Sequence, residues 1–202
     1  GFNVRSVCTG IAGSHIHSFN SSGMVAVKDV EITQNDIDRV LDTARAVSIP
    51  ADQQILHVLP QEYKVNDQDG IRTPIGMTGM RLEVKVHIIT GSVSAAQNIV
   101  KCIRRCGLEV SDLRLQPLAS AATTLTQDEQ EIGVALVDIG GGTTDIAVFT
   151  EGALRHTAVI PIAGDQVTHD IALVLRPPTI AAEELTLRSA AATQGLVPSD
   201  SV

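Results

Sequence analysis

Residues 134–149 have the sequence VALVDIGGGTTDIAVF, in which two apolar runs flank three glycines and two threonines. Each apolar run predicts a strand, and the glycines predict a turn between them. Glycine lets the backbone approach an anion closely with its N–H groups directed at it, and Thr143 and Thr144 offer hydroxyl donors. The spacing favours a phosphate-binding turn, and a plain β-hairpin with a glycine-rich turn is the alternative.

Two aspartates flank this turn, and a second turn follows it. Asp138 and Asp145 could hold Mg²⁺ through water, because that ion keeps much of its hydration shell. The turn lacks the lysine of a P-loop, and no helix follows it as in a dinucleotide fingerprint. At the second turn, before a helix, either Gly164 and Asp165 offer N–H groups to a phosphate or Asp165 only caps the helix.

Composition narrows the class of protein. The chain has 202 residues, 44% of them apolar, and a formal net charge of −8. One Tyr, three Phe and no Trp leave few side chains to stack on bases, and clustered Lys and Arg would be needed to bind a phosphate backbone. We therefore expect no nucleic-acid partner. No run of about eighteen apolar residues occurs, so we expect no membrane-spanning helix.

The cysteines and histidines favour structural roles. Three cysteines without C-x-x-C spacing predict reduced thiols in a cytosolic protein. Cys102 and Cys106 have the i, i+4 spacing of metal ligands on a helix, but no partner with matching spacing exists, so we expect buried apolar thiols. His15 and His17 flank Ile16, and we expect both to be solvated or to take capping roles.

Residues 22–110 have the pattern of a small α+β unit, and the pattern changes from residue 111. In the first part we expect a strand at Met24–Val27, a helix from a capping box at Thr33 and Asp36 to Pro50, a strand at Gln54–Val65 broken at Pro60, a half-buried strand at Leu82–Ile88 and a helix from Ser94 to Gly107. In the second we expect strands at Leu113–Leu115, Gly133–Ile139 (buried), Asp145–Phe149 and Leu154–Ile162, and helices at Ala119–Leu125, Gln166–Leu175 and Ala181–Ala192.

The glycine turn resembles the second phosphate loop of the actin-like ATPase superfamily. Six other stretches resemble the FtsA family of bacterial actin-like cell-division proteins, and the likeness covers nearly the whole chain. They are Thr9-Gly-Ile-Ala-Gly-Ser-His15, His57-Val-Leu-Pro-Gln-Glu62, Gln97-Asn-Ile-Val-Lys101, Arg105-Cys-Gly-Leu108, Gly152-Ala-Leu-Arg-His-Thr157 and Val159-Ile-Pro-Ile-Ala-Gly164.

This resemblance implies an α/β fold: an incomplete actin-like ATPase fold with an inserted small α+β subdomain, 1C, which is SHS2-like. The implied divisions are the end of subdomain 1A at 1–21, subdomain 1C at 22–110, a return to 1A at 111–131, and part of subdomain 2A with the second phosphate loop at 132–202. In the family, ATP and Mg²⁺ lie between 1A and 2A.

The resemblance also implies which residues bind the nucleotide. The family's phosphate loop corresponds to Gly140, Gly141, Gly142 and Thr143, its metal position to Asp138 (through water), and its other nucleotide contacts to Gly164, Asp165 and Glu183. No catalytic residue is implied. The family's lysine after Glu-Glu-Leu is Thr186 here, so we expect this chain to bind ATP weakly or not at all.

Several parts of the family have no counterpart in these 202 residues. They are the first phosphate loop, subdomain 2B, the glycine pair that holds the adenine, and the C-terminal amphipathic membrane helix. Because the chain begins at Gly1 and not at methionine, we expect a piece of a longer protein. We expect at most weak ATPase activity in the full-length protein and none in this piece.

The implied function is a cell-division scaffold at the inner face of the cell membrane, in the divisome that builds the septum. Family members polymerise with ATP, link FtsZ filaments to the membrane and recruit later division proteins such as FtsN. The resemblance assigns self-association and FtsN contacts to 1C, FtsZ binding to 2B and membrane attachment to the C-terminal helix. Within 1C, the basic helix face of Lys101, Arg104 and Arg105 is either solvated or a partner surface.

Two alternatives remain open at this point. An actin-fold ATPase or sugar kinase of another branch would share the phosphate loop but carry a different insertion and a complete first phosphate loop. A pilus-assembly scaffold of the PilM type shares the insertion, and is the neighbour most easily confused with the FtsA family.

Overall fold

The computed structural model describes residues 4–191. These residues form nine strands and six helices. The strands are β1 (Ser6–Ile11), β2 (His17–Ala26), β3 (Gln53–Val65), β4 (Gln68–Ile71), β5 (Arg81–Ser92), β6 (Glu109–Leu115), β7 (Val134–Ile139), β8 (Thr144–Thr150) and β9 (Ala153–Ile160). The helices are α1 (Gln34–Arg45), α2 (Val93–Arg105), α3 (Gln116–Thr124), α4 (Gln127–Ile132), α5 (Gly164–Leu175) and α6 (Thr179–Ser189).

The strands form three sheets. β1 and β6 pair in parallel, although about half of the chain separates them. Between them the chain forms an antiparallel sheet of four strands in the order β2-β5-β3-β4, so this unit is inserted into the parallel pair. The last sheet is an antiparallel meander, β7-β8-β9, whose first connection is the glycine turn.

Helix α1 covers one face of the four-stranded sheet and closes its core. Val40 and Ala44 of α1 are buried against the sheet. They pack in one core with Leu82 and Val84 of the central strand β5. The packing is so close that a Cβ on Gly23 of β2 would lie 2.4 Å from a backbone oxygen of the helix. Gly23 has an ordinary φ, so glycine is required here because no space remains for a Cβ.

The start of α1 confirms the predicted capping box. Asp36 accepts hydrogen bonds from the backbone N–H of Thr33 (2.9 Å) and from its hydroxyl (2.8 Å). The backbone bond first, and then the neighbouring Arg39, lower the pKa of Asp36 to about 2. The carboxylate therefore stays ionised and keeps the first helical turn closed.

Polar contacts join the four-stranded sheet to the β7-β8-β9 sheet. Buried His87 lies between the side chains of Asn20 (Nδ1 to Oδ1, 2.7 Å) and Thr157 (Nε2 to Oγ1, 3.2 Å). Gln61 donates to the backbone carbonyl of Leu154 at 3.0 Å. Burial lowers the pKa of His87 to about 4, so the imidazole is neutral near pH 7 and can both donate and accept.

Three boundaries in the inserted unit differ from those expected. β2 begins at His17 and not near Met24, because its polar half is held by pairing with the long strand β5. β3 continues through Pro60, where its register with β5 shifts; a bulge accommodates a residue that has no N–H to donate. Ser92 caps α2 in place of Ser94, by accepting a hydrogen bond from a backbone N–H.

Two expectations about burial were wrong. Cys102 and Cys106 are exposed. Helix α2 packs through Ala96 and Ile99, and Cys102 lies about 60° further round the helix from Ile99. Cys106 follows the last turn of the helix. Strand β7 was expected to be buried, but it lies at the edge of its sheet, and Val137 and Ile139 are 54% and 69% exposed.

Two further differences lie in the second part of the chain. Helix α4 was not predicted; it begins at a second capping box, between Thr126 and Glu129. The last helix ends at Ser189, and residue 192, where the pattern placed its end, lies outside the described residues. No helix among residues 4–191 is long and apolar enough to span a membrane.

Candidate functional site

The glycine loop, residues Gly140–Thr143, connects β7 to β8 at one end of the three-stranded sheet. Gly140 donates its N–H to the carbonyl of Thr143 (2.9 Å), which closes the turn. No hydrogen bond in the described part of the chain uses the N–H of Gly141, Gly142 or Thr143. The loop therefore presents three consecutive backbone donors, the arrangement that binds anions.

Lack of space, and not an unusual backbone angle, favours glycine at Gly140 and Gly141. None of the three loop glycines has a positive φ. A Cβ on Gly141 would lie 3.0 Å from a carboxylate oxygen of Asp165, and a Cβ on Gly140 would lie 3.3 Å from the Thr143 carbonyl. A Cβ on Gly142 would meet nothing within 4 Å, because it would project into open space. A ligand that approaches the loop would occupy that space.

The start of α5 is bound to the glycine loop. Gly164 donates its N–H to the carbonyl of Gly140 (3.1 Å), and Asp165 donates to the carbonyl of Gly141 (2.8 Å). The sequence left open that these two N–H groups bind a phosphate. In the structure they are occupied, because both donate to carbonyls of the loop. The positive end of the helix dipole still lies beside the loop, which favours an anion there.

Two carboxylates lie on paired strands under the loop. Asp138 on β7 is the cross-strand partner of Asp145 on β8 and accepts a hydrogen bond from Ser120 at 2.7 Å. Asp145 is buried; one of its oxygens accepts from the Thr143 hydroxyl (3.0 Å), and the other has no hydrogen-bond partner. Burial, with the nearby charge of Asp138, raises the pKa of Asp145. A cation at this end of the sheet would stabilise both ionised carboxylates.

The threonine hydroxyls are committed within the protein. The Thr143 hydroxyl donates to Asp145, and the Thr144 hydroxyl donates to the carbonyl of Ile162 at 2.7 Å. The sequence offered both hydroxyls to a phosphate. In the structure they brace the loop, so any anion would be held mainly by backbone N–H groups.

A cleft of about 470 Å³ adjoins the loop. Its lining includes Gly141 and Gly142 of the loop, Asp165 and other polar residues of α5, and Glu183 of α6. The structure thus brings together four of the predicted site residues that are separated in sequence. Their role as nucleotide contacts remains a prediction.

Some members of the predicted site lie outside the cleft lining, and some lining residues were not predicted. Asp138 lies at the base of the loop with Gly140 and Thr143, and contacts Ser120 on α3. The residues that sequence reasoning missed are Ser120 and, on the cleft wall, Thr168, His169 and Thr179. Their sequence neighbourhoods have no motif, so only the packing of the helices onto the loop could identify them.

Comparison with known families identifies the chain. The family model described as "SHS2 domain inserted in FTSA" matches residues 13–90, and the model described as "Cell division protein FtsA" matches residues 135–202. The chain belongs to the FtsA family. The expected fold class, an actin-like α/β fold with an SHS2 insertion, is confirmed.

Relatives in the FtsA family are similar over almost the whole chain. "Cell division protein FtsA" of Pseudomonas aeruginosa is 62% identical over 95% of this chain, and that of Escherichia coli K12 is 47% identical over 98%. These matches cover 46% and 47% of the two relatives, so the chain spans about half the length of the curated relatives it matches.

A solved structure described as "PilM-PilN type IV pilus biogenesis complex" has a similar fold. It aligns with a TM-score of 0.64 over 91% of this chain and 51% of that chain, at 17% sequence identity. At this identity the likeness concerns the fold alone. Sequence similarity favours the FtsA family over a scaffold of the PilM type, because the two FtsA relatives above are 62% and 47% identical to this chain.

Proposed function

We propose that this chain contributes two parts to an FtsA-type cell-division scaffold: the 1C contact subdomain at 22–110 and one half of an ATP site at 132–202. Residues 1–21 and 111–131, which include the parallel strands β1 and β6, would belong to subdomain 1A. The observation that supports the ATP site is the glycine loop: Gly141 and Gly142 line one cleft with Glu183, and within residues 4–191 no hydrogen bond uses their N–H groups.

In this proposal the phosphates of ATP bind to the N–H groups of Gly141, Gly142 and Thr143. The start of α5 holds the loop carbonyls and adds a favourable dipole. Glu183, which lines the same cleft, would accept hydrogen bonds from the ribose hydroxyls. The other half of the ATP site would come from parts of an FtsA-type protein that have no counterpart in this sequence.

Asp138 would hold Mg²⁺ through bound water. Oxygen ligands suit this ion, and Asp138 lies with Asp145 beside the loop. Within residues 4–191, no three or more His, Cys, Asp or Glu side chains are grouped so that they could hold a metal ion. When bound, Mg²⁺ would neutralise phosphate charge beside these carboxylates. Ser120 would orient Asp138 by donating its hydroxyl hydrogen.

The division roles follow from family membership and are proposals for the full-length protein. It would polymerise with ATP at the division site on the inner face of the membrane, link FtsZ filaments to that membrane and recruit FtsN-like proteins. The 1C subdomain would make the self-association and FtsN contacts. On α2, Lys101, Arg104 and Arg105 are exposed and form no ion pair among the described residues, so they are available to an acidic partner.

The loop assignment can be tested by adding a side chain where the protein leaves space. Gly142→Val adds a Cβ that would meet nothing within 4 Å, and its two methyl groups would extend into the space that a phosphate needs. Gly10→Ala is the control, since its Cβ would make only an ordinary 3.9 Å contact on β1. We expect ³¹P NMR of MgATP at millimolar concentration to show line broadening with the parent chain and Gly10→Ala, and none with Gly142→Val.

Equal broadening by Gly142→Val and by the parent chain would contradict the loop assignment.

A separate experiment concerns the FtsZ contact, which the proposal assigns to subdomain 2B and not to this chain. A peptide with the FtsZ tail sequence should not retain this chain in a pulldown, and retention at micromolar concentration would contradict that assignment.

A further inference from the structure

The proposed nucleotide cleft is unusual in its charge. Asp165 and Glu183 place two carboxylates in it, and the Asp165 carboxylate lies against Gly141 of the phosphate loop. Neither lysine nor arginine lines the cleft within the described part of the chain. The one lining side chain that can become positively charged is His169. A polyphosphate that enters this cleft therefore meets fixed negative charge and a single titratable base.

His169 is placed on the wall of the cleft by helix geometry. It follows Asp165 by one turn of α5, so the two side chains share a helix face. Helix α5 packs on α6, where Thr168 and Thr186 approach to 3.5 Å, and α6 contributes Glu183 to the lining of the same cleft. The histidine is thus fixed close to both the phosphate loop and the ribose side.

The fold does not use the imidazole of His169. The side chain is exposed, and within residues 4–191 it forms neither a hydrogen bond nor an ion pair. His87, in contrast, is buried and bonded through both ring nitrogens. The ring of His169 is therefore free to contact a ligand, and its substitution should leave the fold intact.

Distance and screening make its charge effective anywhere in the cleft. A sphere of the cleft volume is roughly 10 Å across, comparable with the screening length of about 8 Å in physiological salt. The acidic groups on the two helices are Asp165 and Asp170 on α5 and Glu183 and Glu184 on α6. Arg188 pairs with Glu184 at 3.1 Å and Arg176 caps the far end of α5, and neither arginine lines the cleft. The glycine loop contributes only backbone groups. An imidazolium at this position would attract a polyphosphate and also screen it from these carboxylates.

We infer that His169 is an affinity-determining residue for polyphosphate nucleotides in this cleft, which bind more tightly when its imidazole is protonated. The inference depends on the proposed function, because it assumes that the cleft receives the nucleotide. It adds a regulatory property, because nucleotide affinity in this cleft then increases with the positive charge on this side chain.

The test is the affinity for MgATP at pH 6 and pH 8, measured by ³¹P NMR titration up to about 10 mM nucleotide, a range that reaches millimolar binding. Three chains are compared: the parent, His169→Gln, and His17→Gln as a control on β2, outside the cleft. We expect the parent and His17→Gln to bind about threefold to tenfold more tightly at pH 6. His169→Gln should lose this preference, and ring-proton resonances of His169 should shift when MgATP is added to the parent.

The proton equilibria of ATP are the same for all three chains, so the difference between their pH ratios belongs to the protein. An equal pH ratio for His169→Gln and the parent, with unmoved His169 resonances, would overturn the inference and leave the proposed site intact. Absence of parental binding at both pH values, or unchanged binding by Gly142→Val, would instead overturn the proposed site and the inference with it.

Discussion

The inserted unit (α1 with β2–β5) and the phosphate-loop unit (β7–β9 with α5 and α6) differ in how well they bury their apolar residues. In the inserted unit, Val40, Leu82 and Val86 are completely buried between the helix and the sheet. In the phosphate-loop unit, Leu173 and Leu187 on the two helices are 69% and 80% exposed. The inserted unit therefore has its own core, whereas the helices beside the cleft contribute little burial to stability.

The largest expected effect comes from the core of the inserted unit. Leu82→Ala removes a fully buried side chain on the central strand and should lower the free energy of unfolding by about 3–4 kcal/mol. The matched change Leu187→Ala, on an exposed helix face, should change it by less than about 0.5 kcal/mol. Urea denaturation measures both. Equal losses in the two variants would contradict the contrast between the units.

The contact between the two units should weaken in mild acid. His87 has a folded pKa of about 4, below the ordinary value of 6.5, so the unfolded chain takes up the proton first. Stability is therefore complete above about pH 6.5 and is lost as pH falls toward 4. His57, whose pKa burial also lowers, acts in the same direction. We expect a loss of about 1–3 kcal/mol between pH 7 and pH 4.

The pH effect is measured by urea denaturation across that range. His87→Gln keeps a polar side chain and should flatten the pH dependence, even if it lowers stability overall. His156→Gln, an exposed neighbour on β9, is the control and should retain most of the slope. An unchanged slope in His87→Gln would show that this histidine does not couple the two sheets.

The capping box of α1 should have a moderate effect. Asp36→Ala removes the carboxylate that accepts from Thr33 and should cost about 1–2 kcal/mol. Asp38→Ala, exposed in the same helix, should cost less than about 0.5 kcal/mol. Because the folded pKa of Asp36 is about 2, its contribution is complete above about pH 4 and is lost as pH falls toward 2. A cost that persists unchanged at pH 2 would contradict this assignment.

The smallest effect on stability should come from the exposed helices of the phosphate-loop unit. The double change Leu173→Ser and Leu187→Ser should alter the free energy of unfolding by less than about 0.5 kcal/mol. It should reduce self-association in analytical ultracentrifugation, because exposed apolar patches promote contact between copies. A stability loss above 2 kcal/mol would show that these leucines are part of a core.

Local patterns in the sequence predicted much of the fold. The capping box at Thr33 and the glycine turn after Asp138 depend on residues close in sequence, so spacing alone identified them. The family resemblance, which covers most of the chain, supplied the fold class that periodicity could not.

The remaining features depend on contacts between distant residues. The exposure of Cys102 follows from which face of α2 packs, and the continuity of β3 through Pro60 follows from its pairing with β5. At the site, the spacing of residues in the sequence predicted the glycine loop. It did not predict that the N–H groups of Gly164 and Asp165 donate to carbonyls of that loop. Only the packing of α5 against α6 and the loop shows that His169 lines the cleft.

Isothermal titration of MgATP into this chain is the sharpest check of the proposal that the glycine loop is one half of an ATP site. We expect a dissociation constant weaker than about 0.1 mM, a binding free energy of no more than about 5.5 kcal/mol, and no detectable heat with Gly142→Val. Micromolar binding by the parent chain, or binding that Gly142→Val leaves unchanged, would contradict it.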